Sequence, residues 1–246
     1  MLRHSLLVRR GTTTQTSHEE AIHMDKGYTV PLYGDGHGRL TLIDWMGDDL
    51  SAVNSARVSF GRSSEELSKR DTKLLRYLAS HRHTSPFEHA TVTFRARVPL
   101  FVARQWMRHR TQSYNEVSRR YTSEDIRIYI PQVLRTQAED NRQASAGDMD
   151  DATSLAEYEY IVLRAKESYD RLTARGVSRE LARAVLPQAM YTEFYATANL
   201  LNWVKFIELR DHEGAQQEIV EVAREIKGVL EALYPETMRA WFAQRR

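Results

Sequence analysis

Residues 104–121 concentrate positive charge: they carry five arginines and His109 but only one acidic residue, Glu116. Such crowding of cations is unfavourable unless solvent or bound anions screen it. The charges alternate with large apolar groups such as Trp106, Met107, Tyr114 and Val117, and such groups favour burial. Guanidinium groups bind phosphates and carboxylates in a forked geometry. The stretch therefore predicts the floor of a site for one or more anionic ligands.

The same charges would also suit a solvated or salt-bridged basic helix, or a helix that contacts RNA. Against these alternatives, hydrogen-bonding side chains are interleaved with the arginines, namely Gln105, Asn115, Glu116 and Ser118. Side chains of this kind read the edges of a heterocycle. The interleaving favours a bound nucleotide or similar ring.

Two further arginines have an unusual setting. Arg183 lies in an otherwise apolar turn, and a buried arginine needs an anionic partner, either a ligand or an internal carboxylate. Arg210 follows an apolar run and precedes Asp211, so a local ion pair is the alternative to a ligand contact.

A group of histidines and one acid, His81, His83, Glu88 and His89, raises the question of a metal site. The spacing fits no zinc signature. We expect ligand contacts or local capping from these side chains, and no bound metal.

Composition narrows the chemistry. The chain of 246 residues has no cysteine, which excludes disulfides, thiolate metal sites and a cysteine nucleophile. The net charge of +2 is close to neutral, so the basic character is local. We find no segment typical of a signal peptide or a membrane span and expect a cytoplasmic protein.

Periodicity predicts an α+β domain over residues 28–246, with a mainly antiparallel sheet flanked by helices, preceded by an irregular arm over residues 1–27. Residues 33–38 are glycine-rich but precede a strand-like run, so we expect a turn and not a phosphate loop. Alternation predicts strands over residues 90–98 and 190–198, with Arg95 and Arg97 facing outward. Helical patterns are expected over residues 48–58, 71–80, 100–110, 154–174, 179–186, 202–209 and 215–233. Ser113 and Glu116 match a capping box, which predicts another helix or turn, and residues 137–151 read as an exposed loop.

Several motifs together resemble the flavin-dependent thymidylate synthase family, also called thymidylate synthase-complementing proteins. The family motif is Arg-His-Arg, seven residues and then Ser, which here is Arg108-His109-Arg110 and Ser118. The surrounding residues are similar too, as are residues 83–89, 182–187 and 199–210. The similarity extends from about Asp44 to the C-terminus.

The resemblance implies methylation of dUMP to dTMP. Methylenetetrahydrofolate would give the one-carbon unit, NADPH would reduce FAD, and the reduced flavin would supply the hydride. It also implies a homotetramer whose sites are shared between subunits, with no nucleic acid or membrane partner. The alternatives are an RNA-binding protein that uses the arginine segment, or a metal-dependent nucleotide hydrolase.

Residue roles follow from the same resemblance. Arg210 is the expected catalytic group, holding uracil so that its N3 side carries negative charge. The expected dUMP-binding residues are Gln105, Trp106, Met107, Arg108, Glu116, Val117, Ser118, Arg119, Arg120, Arg183 and Arg210. The expected FAD-binding residues are His83, Ser85, Glu88, Arg108, His109, Arg110, Asn115, Glu116, Asn199, Leu201 and Lys205. Ser118 is assigned to substrate binding because no adjacent His–Asp pair is evident to activate it as a nucleophile.

Overall fold

A computed structural model describes residues 24–139, 141 and 144–242. The strands are β1 (Thr29–Leu32), β2 (Gly38–Met46), β3 (Thr91–Pro99), β4 (Ser113–Glu116), β5 (Leu134–Gln137), β6 (Ser145–Met149) and β7 (Tyr191–Asn199). The α-helices are α1 (Asp49–Arg57), α2 (Lys69–Ser80), α3 (Leu100–Trp106), α4 (Ala152–Ala174), α5 (Arg179–Ala182), α6 (Leu200–Arg210), α7 (Gln217–Leu233) and α8 (Pro235–Phe242). Short 3₁₀ turns occupy Val58–Phe60, Ser85–Glu88 and Arg183–Val185. Most of the predicted N-terminal arm lies outside the described residues.

Five strands form one sheet in the order β1-β2-β3-β7-β4, and every neighbouring pair is antiparallel. The predicted α+β class with an antiparallel sheet is confirmed. The inward residues of β3 are fully buried, as alternation predicts: Val92, Phe94, Ala96 and Val98. They belong to a core cluster that also takes in apolar side chains of α1, α2, α6, α7 and α8.

A second cluster lies beneath α4 and joins Val162 and Tyr169 of that helix to Ile128, Tyr129 and Tyr191. The two clusters frame α3, whose Val102 and Trp106 are fully buried. The first residues after α3 are therefore held against the core while the arginines among them remain at the surface.

The structure corrects four local predictions. Ser113–Glu116 is a strand, since its backbone pairs with the free edge of β7 and this tertiary pairing overrides the capping pattern. Within residues 137–151, β5 and β6 form a hairpin. The helix predicted over residues 71–80 begins earlier, at Lys69, because Ser68 is its N-cap and Asp71 completes a capping box. Arg97 is 9% exposed and pairs with Asp125 at 2.8 Å, so it does not face solvent.

Candidate active site

The arginine segment begins on α3 and turns back into β4. Tyr114 fixes this turn, because its hydroxyl donates to the carbonyls of Trp106 and His109 at 3.1 and 2.9 Å. The buried Trp106 indole also donates to the Gln112 side chain at 2.9 Å. Apolar packing and these bonds hold the Arg108-His109-Arg110 turn between two fixed points.

Arg210 reaches this turn from the C-terminal end of α6. Its Nε–H donates to His109 Nε2 at 3.1 Å, and a terminal N–H donates to the Gln105 carbonyl at 2.7 Å. The local pair with Asp211 that the sequence offered as an alternative is wrong: Asp211 pairs with Arg224 and Lys227. Within the described ranges no carboxylate lies within 4 Å of the Arg210 guanidinium, so its charge is oriented but not neutralised.

The His109 ring is the acceptor that orients Arg210. It packs against Phe206 at a centroid distance of 4.8 Å. Burial, and secondly the charge of Arg210, lower the pKa of His109 to about 4. The imidazole is therefore neutral near pH 7. Its Nε2 is free to accept, and the ring proton lies on Nδ1.

The Arg210 guanidinium is in an unfavourable environment for a cation. Burial lowers its pKa, and the charge of Arg108 lowers it further. Two cations lie close together here, and no acid in the described part of the chain balances them, so the site attracts an anion or a group that becomes anionic during reaction.

Gln105 is held from a second direction by a residue that the sequence reading missed. The Gln105 amide donates to Gln216 Oε1 at 2.5 Å, and Gln216 is the residue before α7. The only sequence signal is a polar residue at the start of a helical pattern, and it does not point to Gln105. The segments ending α3, ending α6 and opening α7 thus converge at one place.

The remaining residues of the predicted nucleotide set lie further along the chain. Glu116 ends β4 and accepts from the Thr192 hydroxyl at 2.5 Å. Ser118 accepts from the Arg120 backbone at 3.3 Å, and Arg120 is exposed. No contact in the described part of the chain joins these residues, or Arg183, to the Arg210 group.

The structure changes what was expected of three side chains, two arginines and one tryptophan. Arg183 was expected to be buried, but it is exposed, because it opens the 3₁₀ turn Arg183–Val185, all of whose residues are exposed. Arg119 is buried and donates to the Glu124 carbonyl at 2.7 Å, so its side chain turns inward. Trp106 is fully buried, which leaves only its backbone for a ligand.

The predicted FAD-binding residues lie on α6 and on the segments beside this helix. The segment from Arg82 to Ala90 runs beside this helix, since Arg82 pairs with Glu208 at 3.4 Å and the Ala90 carbonyl accepts from Leu200 N at 2.8 Å. It carries three exposed members of the set: His83, Ser85 and Glu88. On the other side, Arg108 and Arg110 are exposed beside His109.

On α6 itself the members differ in what they offer. Asn199 caps the helix, with its Oδ1 accepting from Asn202 N at 3.0 Å, which leaves its amide N–H groups to donate elsewhere. Lys205 is exposed, whereas Leu201 is 3% exposed and has only its backbone to offer.

This donor set fits a flavin dinucleotide. Arg108, Arg110 and Lys205 are exposed cations with no carboxylate within 4 Å in the described ranges, which suits a pyrophosphate. Ser85, Glu88 and Asn199 add neutral donors and an acceptor, which suit ribityl hydroxyls and ring edges. Among the described residues, no three metal-ligating side chains gather into a group that could hold a metal ion. Over the same residues, no helix is long and apolar enough to cross a membrane.

Comparison with known proteins supplies independent findings. A family model described as thymidylate synthase complementing protein matches residues 41–236. A flavin-dependent thymidylate synthase of Thermus thermophilus is 42% identical over 220 residues, covering 89% of this chain and 79% of the relative. Another, of Kosmotoga olearia, is 42% identical over 207 residues, covering 83% of this chain and 90% of the relative.

A solved structure is similar in three dimensions as well. It is the UMP/dUMP methylase PolB of Streptomyces cacaoi bound with 5-Br dUMP. The TM-score is 0.77 and the identity 35%, with 87% of this chain and 97% of PolB covered.

Proposed function

Because the chain belongs to the thymidylate synthase complementing proteins, the flavin-dependent thymidylate synthases, we propose that it methylates dUMP to dTMP with FAD as cofactor. The one-carbon donor in this proposal is 5,10-methylenetetrahydrofolate, and NADPH is the reductant of the flavin. The single observation that supports it most directly is the Arg210 guanidinium, oriented by His109 and Gln105 and without a carboxylate partner within the described residues.

In this proposal the Arg210 guanidinium activates the pyrimidine ring, a role that a cysteine thiolate would otherwise have. The chain has no cysteine, so a thiolate cannot add to the pyrimidine ring and activate it. A guanidinium beside N3 and its carbonyls stabilises negative charge on that side of uracil, which makes C5 nucleophilic toward the one-carbon unit. Electrostatic stabilisation of this kind is strong where donors are fixed before reaction, and hydrogen bonds to charged groups contribute roughly 1.5–3 kcal/mol each.

His109 and Gln105 fix the direction of that guanidinium. A neutral His109 accepts from Nε–H without adding a second positive charge at the site. The Gln105 carbonyl occupies one terminal N–H, so the remaining N–H groups of Arg210 point to a ligand.

The dUMP phosphate is assigned to the exposed cations Arg108, Arg120 and Arg183. Among the contacts of the described residues, none joins Arg183 to the Arg210 group of the same chain. We therefore propose a homotetramer in which Arg183 of one subunit contacts the nucleotide bound at the site of another. As a separate point, we propose that the enzyme is cytoplasmic. Glu116 and Ser118 complete the nucleotide site by hydrogen bonding.

When bound and reduced, FAD would supply the hydride that completes the methyl group. Arg108, His109, Arg110 and Asn199 would hold it, together with Ser85, Glu88 and Lys205. His83 lies on the same segment as Ser85 and faces solvent in the chain described here.

An anaerobic titration with NADPH tests the proposal. The purified protein is expected to be yellow, to lose flavin absorbance on addition of NADPH, and to form dTMP from dUMP and methylenetetrahydrofolate. A colourless protein whose affinity for RNA falls steeply with salt would support an RNA-binding function instead. Hydrolysis of dUMP that a chelator abolishes would indicate a metal-dependent hydrolase.

The Gln105–Gln216 bond predicts a positioning role for Gln216. Gln216→Ala removes the acceptor of the Gln105 amide, and one such bond contributes about 0.5–1.5 kcal/mol. We expect the KM for dUMP to rise roughly threefold to tenfold with little change in kcat. Steady-state kinetics with varied dUMP measure this.

Gln217→Ala is the matched control, because Gln217 is the exposed neighbour and has no bond to Gln105. Gln216→Glu keeps an acceptor oxygen and is expected to restore most of the dUMP affinity. If Gln216→Ala and Gln217→Ala behave alike, Gln216 does not position Gln105.

A further inference from the structure

A recess on the surface between α1 and α2 is lined almost entirely by basic and apolar side chains. Its volume is about 360 Å³, and the lining residues are Ala56, Arg57, Phe60, Arg62, Arg70, Lys73 and Leu74. Four of these seven residues are cationic and none is acidic. None of them belongs to the dUMP or FAD sets given above.

Most of this positive charge is unbalanced. Arg57 alone forms an ion pair, with the buried Asp71. In the part of the chain that the structure describes, Arg62, Arg70 and Lys73 have no carboxylate within 4 Å. The nearby acids Glu65 and Glu66 do not line the recess. Three free cations around one concavity raise the local concentration of anions there.

The recess also has a fixed aromatic wall. Phe60 ends the turn after α1 and is 79% exposed, so its ring is accessible to a ligand that enters the recess. Two bonds hold the loop behind it, Asn54 Nδ2 to the Ser64 carbonyl at 2.9 Å and Ser64 N to Asn54 Oδ1 at 2.7 Å. Gly61, with φ of 61°, lets the chain reverse directly after Phe60.

An exposed aromatic ring beside arginine and lysine side chains is the arrangement that binds a nucleobase together with its phosphates. The volume lies at the small end of the range for ligand pockets. We propose that this recess binds the phosphorylated nucleoside end of a dinucleotide, with the base against Phe60 and the phosphates at Arg62, Arg70 and Lys73.

The choice of ligand rests on the proposed function, whose two dinucleotides are FAD and NADPH. Helix α1, which contributes Ala56 and Arg57 to the recess, contacts the predicted flavin segment, since its Ser55 hydroxyl donates to the Pro86 carbonyl at 3.1 Å.

Both dinucleotides present phosphorylated adenosine, and NADPH adds a 2′-phosphate. The FAD pyrophosphate is already assigned to Arg108, Arg110 and Lys205, so FAD fits the recess only if cations of two subunits contact the same pyrophosphate. FAD and NADPH can be told apart because substitution of the cationic residues would change a different measurement for each.

Calorimetric titration of the yellow holoenzyme with adenosine 2′,5′-bisphosphate, and of the flavin-depleted protein with 5′-ADP, tests the proposal. We expect Arg70→Gln/Lys73→Gln to weaken binding roughly tenfold, because two cation–phosphate contacts are lost. Phe60→Ala removes the ring contact without changing charge and is expected to weaken binding as well. Arg76→Gln is the matched control, an exposed arginine of α2 outside the recess.

Kinetics then identify the source. A KM that rises more for NADPH than for NADH, with unchanged flavin content, assigns the recess to the reductant. Loss of flavin on gel filtration assigns it to FAD. If the double variant and Arg76→Gln bind both probes as the wild type does, or the wild type binds neither, the proposal is wrong. The titrations need no turnover, so a protein that forms no dTMP contradicts the proposed function without deciding this one.

Discussion

Arg210→Ala is expected to lower the rate of dTMP formation by at least roughly 10²-fold, the loss typical when one fixed donor to developing charge is removed. The reason is geometric. His109 and the Gln105 carbonyl orient the guanidinium before substrate arrives, and the charge has no acid beside it within the described residues. Arg210→Lys keeps the charge but not the planar fork of donors, so we expect it to recover little activity.

Single-turnover formation of dTMP from radiolabelled dUMP measures the effect, and the flavin spectrum measures cofactor retention in the same sample. Flavin is expected to remain bound, since Arg210 is not assigned to the cofactor. Arg104→Ala is the matched control: an exposed arginine of the same segment with no assigned role. Turnover retained in Arg210→Ala would remove this residue from the catalytic role.

The sequence predicted the central elements well because their signals are physical and local. Strict alternation identified β3, and its inward residues are all buried. The apolar period of residues 154–174 identified α4, which the structure extends by two residues to Ala152. The helix predicted over residues 100–110 is present, but α3 ends at Trp106, so Arg108-His109-Arg110 lies in the turn after the helix and not in its last residues.

Predictions that failed concern tertiary partners that the local pattern does not contain. Ser113 and Glu116 satisfy a capping rule, yet the open edge of β7 takes the segment as β4. Arg210 has an acid directly beside it in sequence, but Asp211 faces Arg224 and Lys227 on α7. Arg183 sits among apolar residues, but Leu181 and Val185 beside it are exposed as well, so within the described residues this side of the turn faces away from the core.

The bond between Gln105 and Gln216 shows the same limit at the candidate site. The two residues are 111 positions apart, and glutamine has no preferred partner that its sequence context reveals. Family resemblance selects residues that contact ligands. It does not select those that hold the contacting residues in place, and these had to come from the folded chain.

The His109–Arg210 pair predicts a specific loss of stability in mild acid. In the unfolded chain His109 has an ordinary pKa near 6.5, and in the folded protein burial lowers the pKa to about 4. Well above pH 6.5 the imidazole is neutral in both states, and the residue has no effect on the pH dependence of stability. Between pH 6.5 and 4 the unfolded state takes up the proton while the folded state stays mostly neutral. The free energy of unfolding therefore decreases by about 1.4 kcal/mol for each unit by which the pH is lowered. From pH 7.5 to pH 5 the contribution of His109 is a loss of about 2 kcal/mol.

Urea unfolding of the ligand-free protein at both pH values, at one protein concentration, measures this loss, and comparison with His109→Gln isolates it from other titrating groups. The glutamine amide accepts from Arg210 but does not take up a proton in this range, so the variant is expected to lose about 2 kcal/mol less than the wild type. His89→Gln changes an exposed histidine and is expected to keep the wild-type pH dependence. If all three proteins lose stability equally, His109 is not held neutral in the fold, and Arg210 lacks the acceptor that gives its charge a direction.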